Sequence, residues 1–321
     1  MSPRLDLALQ SGLLLTQPLT VLGPTTASDL SALPRETQVV QPFKPFHDHF
    51  AHQGFPVVPN SDDPCQDAIV ILPRAKALAR SMVHQACCRA SGVVVVDGAK
   101  TDGVDSLLKD IRKRVAIEGP ISKAHGKIFW FQSDRRAFAD WAAPEHQTAD
   151  GFQTAPGVFS ADGIDPASAL LLAALPDKLG ARVADLGAGW GYLSAGLLQA
   201  AGLKALHLVE ADHTALTCAR TNVADPRAQF HWADAVTWRA SEPIDTVVMN
   251  PPFHTGRSAE PELGQGFIRS AVRNLTRNGS LWMVANRHLP YEAALTDAFA
   301  AVEEVTGDNR FKVFHASRPR R

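Results

Sequence analysis

The 321-residue sequence predicts an α/β protein built as two doubly wound units in tandem, the first degenerate and the second intact. Three observations carry this. Short apolar strands alternate with helix-length segments along the whole chain, the rhythm of βαβ units and a parallel sheet. A pattern repeats: Asp67-x-Ile69-Val70-x-x-Pro73 returns as Asp245-x-Val247-Val248-x-x-Pro251. Each copy leads to a helix, a glycine-led strand (from Gly92 and from Gly279), another helix, and a strand opened by a lysine (Lys127 and Lys312). Finally, a G-x-G-x-G turn, Gly187-Ala188-Gly189-Trp190-Gly191, occurs in the second half only.

Taken in order, Leu5 to Leu15 reads as an opening helix, and Leu19 to Gly23 and Thr37 to Val40 as strands. The stretch to Pro64, rich in Pro, His and Phe, shows no clear period. Asp67 to Pro73 is a strand, Ala75 to Ala90 a helix, Val93 to Val96 a buried strand, Gly103 to Arg114 a helix and Lys127 to Phe131 a late strand. The first strand runs into Pro24-Thr25-Thr26 with no glycine turn, and Arg74 follows Pro73. This half, 1–141, keeps the fold without the chemistry. Residues 142–156, polar and breaker-rich, read as a linker, and 157–321 as the active unit.

In that unit a helix spans about Pro166 to Leu175. The strand Ala181 to Leu186 places Asp185 just before the glycine turn, and a helix follows to about Ala201. Glycines at such a turn let the backbone approach a ligand closely. A carboxylate beside the turn suits a ligand carrying an ammonium group better than a phosphate. About 20 residues on, the strand Ala205 to Val209 ends at Glu210, the interval at which an acidic residue meets ribose hydroxyls. Ala228 to Trp232 ends near Asp234. Asp245 to Met249 is a buried apolar strand that stops in Asn250-Pro251-Pro252-Phe253-His254. The two prolines fix the backbone there and bias Asn250 toward extended geometry, so a polar amide sits at the carboxyl end of a strand.

Composition bounds the rest. The chain is 45% hydrophobic and 20% charged with net charge −1, so any nucleic-acid contact must use local basic patches. Candidates are Lys109 to Arg114, the group Lys123, Lys127, Arg135 and Arg136, and the tail Arg318, Arg320 and Arg321. No apolar run is long enough to cross a bilayer, and no signal-peptide pattern opens the chain. Cys65, Cys87, Cys88 and Cys218 lack metal or disulfide spacing, so reduced thiols, no metal and a cytoplasmic location are expected.

The second half resembles the class I S-adenosylmethionine-dependent methyltransferases with an Asn-Pro-Pro-aromatic motif. The segments Gly157-Val158-Phe159-Ser160-x-Asp162-Gly163, Asn250 to His254, Val284-Ala285-Asn286-x-x-Leu289-Pro290-Tyr291 and Arg310-Phe311-Lys312-Val313 are similar to bacterial ribosomal RNA guanine-N2 methyltransferases, the 16S type above all. That family has two tandem Rossmann-like domains, the first degenerate with an RNA-binding or structural role.

The resemblance implies that Asp185, Gly187, Gly189 and Gly191 hold the methionine part of S-adenosyl-L-methionine, Glu210 its ribose and Asp234 its adenine, with Phe159 and Asn250 lining the same pocket. Asn250, helped by the Pro251 carbonyl and the rigid Pro252 turn, would accept from a guanine amine. Phe253 would stack on a flipped base, and His254 is a second substrate-side candidate. The implied partner is ribosomal RNA, free or within a subunit. The motif alone also admits a 23S guanine, a glutamine amide, a DNA adenine, or a module that binds without catalysis.

Overall fold

The computed structural model describes residues 3–144, 147–252, 254–255, 258–259 and 261–320. Phe253 and Arg321 lie outside these residues, and of His254 only the backbone is described. The chain divides into two compact units, Met1–Glu145 and His146–Arg321.

The first unit runs α1 (Pro3–Gln10), β1 (Leu19–Leu22), β2 (Gln38–Val40), α2 (Lys44–His52), β3 (Val57–Val58), β4 (Asp67–Ile71), α3 (Lys76–Arg89), β5 (Val93–Ala99), α4 (Val104–Arg112), β6 (Glu118–Lys123) and β7 (Gly126–Gln132). Its sheet has the order β3-β2-β1-β4-β5-β7-β6. The five strands from β3 to β5 pair parallel, whereas β7 and β6 join antiparallel. Val94, Val95 and Val96 of β5 are fully buried, which is why the strand reads as a continuous apolar run.

The second unit runs β8 (Gln147–Ala149), β9 (Phe152–Thr154), α5 (Pro166–Ala174), β10 (Arg182–Leu186), α6 (Tyr192–Leu197), β11 (Ala205–Glu210), α7 (His213–Asn222), β12 (Ala228–Trp232), β13 (Ile244–Met249), β14 (His254–Thr255), β15 (Ser258–Ala259), α8 (Pro261–Asn274), β16 (Leu275–Asn286), α9 (Glu292–Ala298), β17 (Phe299–Gly307) and β18 (Phe311–Pro319). Its sheet has the order β12-β11-β10-β13-β16-β18-β17, which matches the first sheet position for position. Both sheets are mixed rather than wholly parallel. The antiparallel pairings are made by β7 and β18, each running against its inner neighbour (β5 or β16) and against the edge strand (β6 or β17). The short hairpin β8–β9 falls within the span 142–156.

Each face of the second sheet carries its own core. Ala184, Leu186, Val247 and Met249 pack with Ile268, Ala271 and Leu295 of α8 and α9. Val183, Leu208 and Val248 pack with Ala167, Leu171 and Leu193 of α5 and α6. Side chains alternate along a strand, so Asp185 and Asn250 follow the parity of the second set and meet α5 and α6. Fully burying a side chain such as Val247 or Val248 stabilises by about 1.5–3 kcal/mol, which holds β13 in the sheet centre. Among the described residues no helix is long and apolar enough to cross a membrane.

Candidate active site

Because β10 lies between β11 and β13, the chain reverses its direction of winding at β10 and β13, and a crevice opens at their carboxyl ends. Phe159, Asp165, Ser168, Gly187, Gly189 and Asn250 line it together. Four residues expected at the site, Phe159, Gly187, Gly189 and Asn250, therefore meet in one cleft.

The three glycines differ in what they permit. All have positive φ (+78°, +56° and +93° at 187, 189 and 191). A Cβ on Gly191 would meet Val223 Cγ2 at 2.8 Å, so this glycine is needed for helix packing. A Cβ on Gly189 would meet nothing within 4 Å, because this backbone faces the open cleft. Gly187 would graze Phe267 at 3.4 Å, and its N–H donates to the Val209 carbonyl at 2.8 Å. Gly191 itself is not on the cleft wall.

Acidic groups surround the loop. Asp185 is fully buried beneath it. Its Oδ2 accepts from Ser194 Oγ at 2.7 Å, and its Oδ1 has no hydrogen-bond partner among the described residues. Burial pushes its carboxyl up to about 7, with Glu210 adding like-charge repulsion. Glu210, at the tip of β11, accepts from the Gly189 N–H at 2.7 Å and the Asp212 N–H at 2.8 Å, and desolvation raises it to about 7 as well. A carboxylate has about four lone-pair sites, so these backbone donors do not exhaust Glu210. Asp234 follows β12 and accepts from the Val236 N–H at 2.8 Å; like Asp185 and Glu210, it is not among the residues that line the cleft.

Phe159 is 63% exposed, a large apolar ring held open to solvent at the cleft. Its segment is fixed from below. Trp190 donates from Nε1 to the Phe159 carbonyl at 2.9 Å, and its ring is buried against Val158, Ala215 and Cys218. Trp190, bulky within the glycine loop, therefore braces the Phe159 loop. Ser160 adopts φ +52° while its hydroxyl donates to the Gly163 carbonyl at 2.8 Å.

Asn250 donates from Nδ2 to Asp165 Oδ2 at 2.9 Å and to Ser168 Oγ at 2.8 Å. Pro251 is buried and Pro252 exposed. Asp165 and Ser168 escaped the sequence reading. Their only local signal is a capping aspartate followed by proline at a helix start. The basic candidates of the first unit are partly engaged: Arg114 donates to Asp140 at 2.8 Å and Lys127 pairs with Asp105 at 2.5 Å.

The arrangement suits a cationic nucleoside-type ligand: an open glycine backbone, a buried carboxylate oxygen without a partner and acceptors at successive strand ends. Comparison with known proteins agrees. A family profile described as methyltransferase small domain matches residues 150–315. The ribosomal RNA small subunit methyltransferase C of Shewanella piezotolerans is 31% identical over 307 residues, covering 90% of this chain and 88% of that protein. Its counterpart in Erwinia tasmaniensis is 30% identical, covering 82% and 73%. The solved T. thermophilus 16S rRNA N2 G1207 methyltransferase, in complex with AdoMet and guanosine, shares the fold with a TM-score of 0.78. It is 22% identical, with 98% of this chain and 92% of that chain covered.

Proposed function

The chain belongs to the ribosomal RNA small subunit methyltransferase C family, and we infer that it transfers a methyl group from S-adenosyl-L-methionine to the exocyclic N2 of a guanine in 16S ribosomal RNA. The observation that carries this reading is the amide of Asn250. Both hydrogens of its Nδ2 are engaged by α5, which leaves Oδ1 as the acceptor at the cleft.

The residues present fit the cofactor. Gly187 and Gly189 offer backbone that a ligand can approach, Glu210 offers acceptor lone pairs to ribose hydroxyls, and Asp234 is the candidate partner for the adenine amine. Asp185 lies under the glycine loop, where its carboxylate favours a nearby ammonium group. Gly191 serves by keeping the loop packed on α7, and Phe159 covers the pocket with its exposed ring. When bound, the cofactor supplies a methyl group on a cationic sulfur, so no metal is required.

On the substrate side, Asn250 Oδ1 accepts from the guanine amine and the Pro251 carbonyl takes its second hydrogen. That orients the nitrogen lone pair, and Pro252 keeps the turn rigid. Alignment and electrostatics account for most of the acceleration. A neutral guanine amine would need no strong base, because the methylated nitrogen, once cationic, would give its proton to solvent water. Phe253 is assigned to stacking on the flipped base, with His254 beside it. Residues 1–141 are assigned to RNA contact or support, 142–156 to a linker and 157–321 to catalysis. An RNA target within an assembling subunit in the cytoplasm completes the proposal.

The experiment is transfer of labelled methyl groups to 30S subunits, 50S subunits and protein-free 16S RNA, followed by nucleoside analysis. N2-methylguanosine in 16S RNA is the expected product. Its absence from all three substrates, or label in another nucleoside, contradicts the proposal.

A further inference from the structure

We propose that Asp165, the N-cap of α5, and Ser168, in its first turn, are positioning residues that fix the Asn250 amide with its oxygen turned toward the substrate nitrogen. The inference rests on the reading of Asn250 given above and names what makes that residue an acceptor of defined orientation.

A side-chain amide has two faces of opposite character, and only a hydrogen-bond network decides which end is the oxygen. Here the network is closed. Asp165 caps α5: its Oδ2 accepts from the Ser168 N–H at 2.8 Å, with Pro166 at the start of the helix. The same Oδ2 accepts from Asn250 Nδ2 at 2.9 Å, and Ser168 Oγ accepts the second hydrogen at 2.8 Å. Rotating the amide by half a turn would press Oδ1 against a carboxylate oxygen, two acceptors with no proton between them. Ser168 is only 8% exposed, so bulk water is poorly placed to replace its hydroxyl.

The ring also ties two parts of the chain 82 and 85 residues apart. Asn250 follows β13, a strand buried on both faces, and its parity aims it at α5. The helix start, itself rigid through its cap, therefore sets the angle of the acceptor. A misaligned acceptor loses rate, while the glycine-loop backbone and Glu210 keep their own hydrogen bonds.

The test uses the full-length protein with S168A, S168T, D165S and N250A. Alanine at 168 leaves the cap intact and removes one acceptor. Serine at 165 keeps a capping oxygen but shortens the reach toward Asn250. Expected for S168A and D165S is a fall in kcat of about tenfold or more, the scale of one lost orienting bond. The KM for RNA and the calorimetric cofactor affinity stay near the parent values, and the thermal midpoint falls by only a few degrees, the scale of one unsatisfied donor. S168T, which keeps a hydroxyl acceptor, retains most of the turnover.

Parent-like kcat in S168A and D165S overturns the inference. So does a kcat loss matched by an equal loss of cofactor affinity or by a much larger fall in thermal midpoint, which would mark a structural role. The N250A arm separates the two readings. Normal turnover in N250A removes the acceptor role and this inference with it. An inactive N250A beside normal S168A and D165S removes the positioning role alone.

Discussion

The main-chain N–H of Gly189 donates to Glu210 Oε2 at 2.7 Å, so the glycine open to the cleft hangs from the last residue of the neighbouring strand. One carboxylate thereby shapes the loop. Glu210→Ala is expected to weaken cofactor binding by about tenfold to a hundredfold, the range of one to two lost hydrogen bonds, at least one of them to a charged group. Glu210→Gln, which keeps an acceptor, should lose less. Calorimetric titration with S-adenosyl-L-methionine checks the order, and equal affinity in all three proteins would refute it.

The same carboxylates predict a pH dependence. Burial raises Asp185 and Glu210 to about 7, well above their values in an unfolded chain. A raised carboxyl contributes stability that is full below the unfolded value near 4 and is lost as pH rises through about 7. A cationic ligand favours the ionised forms, so binding should tighten between pH 6 and 8 and release protons near neutrality. Calorimetry in two buffers of different ionisation heat measures that release. No proton release, or weaker binding at pH 8, would show that these carboxylates do not face the ligand charge.

Gly189 and Gly191 should fail in different ways when substituted. Gly191→Ala places a Cβ 2.8 Å from Val223 and at φ +93°, so the folded state loses about 1–3 kcal/mol from strain alone, read as a lower thermal midpoint. Gly189→Val meets no neighbouring atom, yet a β-branched residue at φ +56° is strained as well, so it should lower the thermal midpoint and, unlike Gly191→Ala, also abolish cofactor binding in the protein that remains folded. A parent-like affinity in Gly189→Val would mean that the ligand does not approach this backbone.

A second pH effect belongs to the core. His207 and His231 stack at 5.3 Å beside Trp238, with ring nitrogens 3.1 Å apart. Desolvation lowers both, and each is further opposed by neighbouring positive groups. Their contribution to stability is full above about pH 6.5 and is lost as pH falls below it, through the lowered folded values. His231→Phe keeps a stacking ring and removes one of these protons. It should shrink the drop in thermal midpoint between pH 7.5 and 5.5, and an unchanged drop would discard the pair as its source.

Much of this was legible in the chain itself. The buried strands β4, β5, β10, β11 and β13 announced themselves as apolar runs, and the glycine turn with its flanking acids located the cleft. What escaped has physical reasons. β6 and the half of β17 from Glu303 onward are exposed at a sheet edge, where solvent permits polar residues and no pattern survives. α2 buries one residue fully, Phe50, and so shows no stripe. α6 ends at Leu197, earlier than the reading to Ala201. Trp190 stood out by size, yet its partner Phe159 lies 31 residues away. Asp165 and Ser168 look like an ordinary helix start, because their meeting with Asn250 exists only in the folded sheet.

Asn250 decides the account most directly. Asn250→Ala should be assayed for N2-methylguanosine formation in 16S RNA under single turnover, alongside calorimetric titration with S-adenosyl-L-methionine. A rate at least about a hundredfold lower with cofactor affinity within about threefold is the predicted result, as for a group that acts on the reacting nitrogen. Undiminished turnover, or rate and affinity falling together, would contradict the assignment of Asn250 as the acceptor that orients the guanine amine.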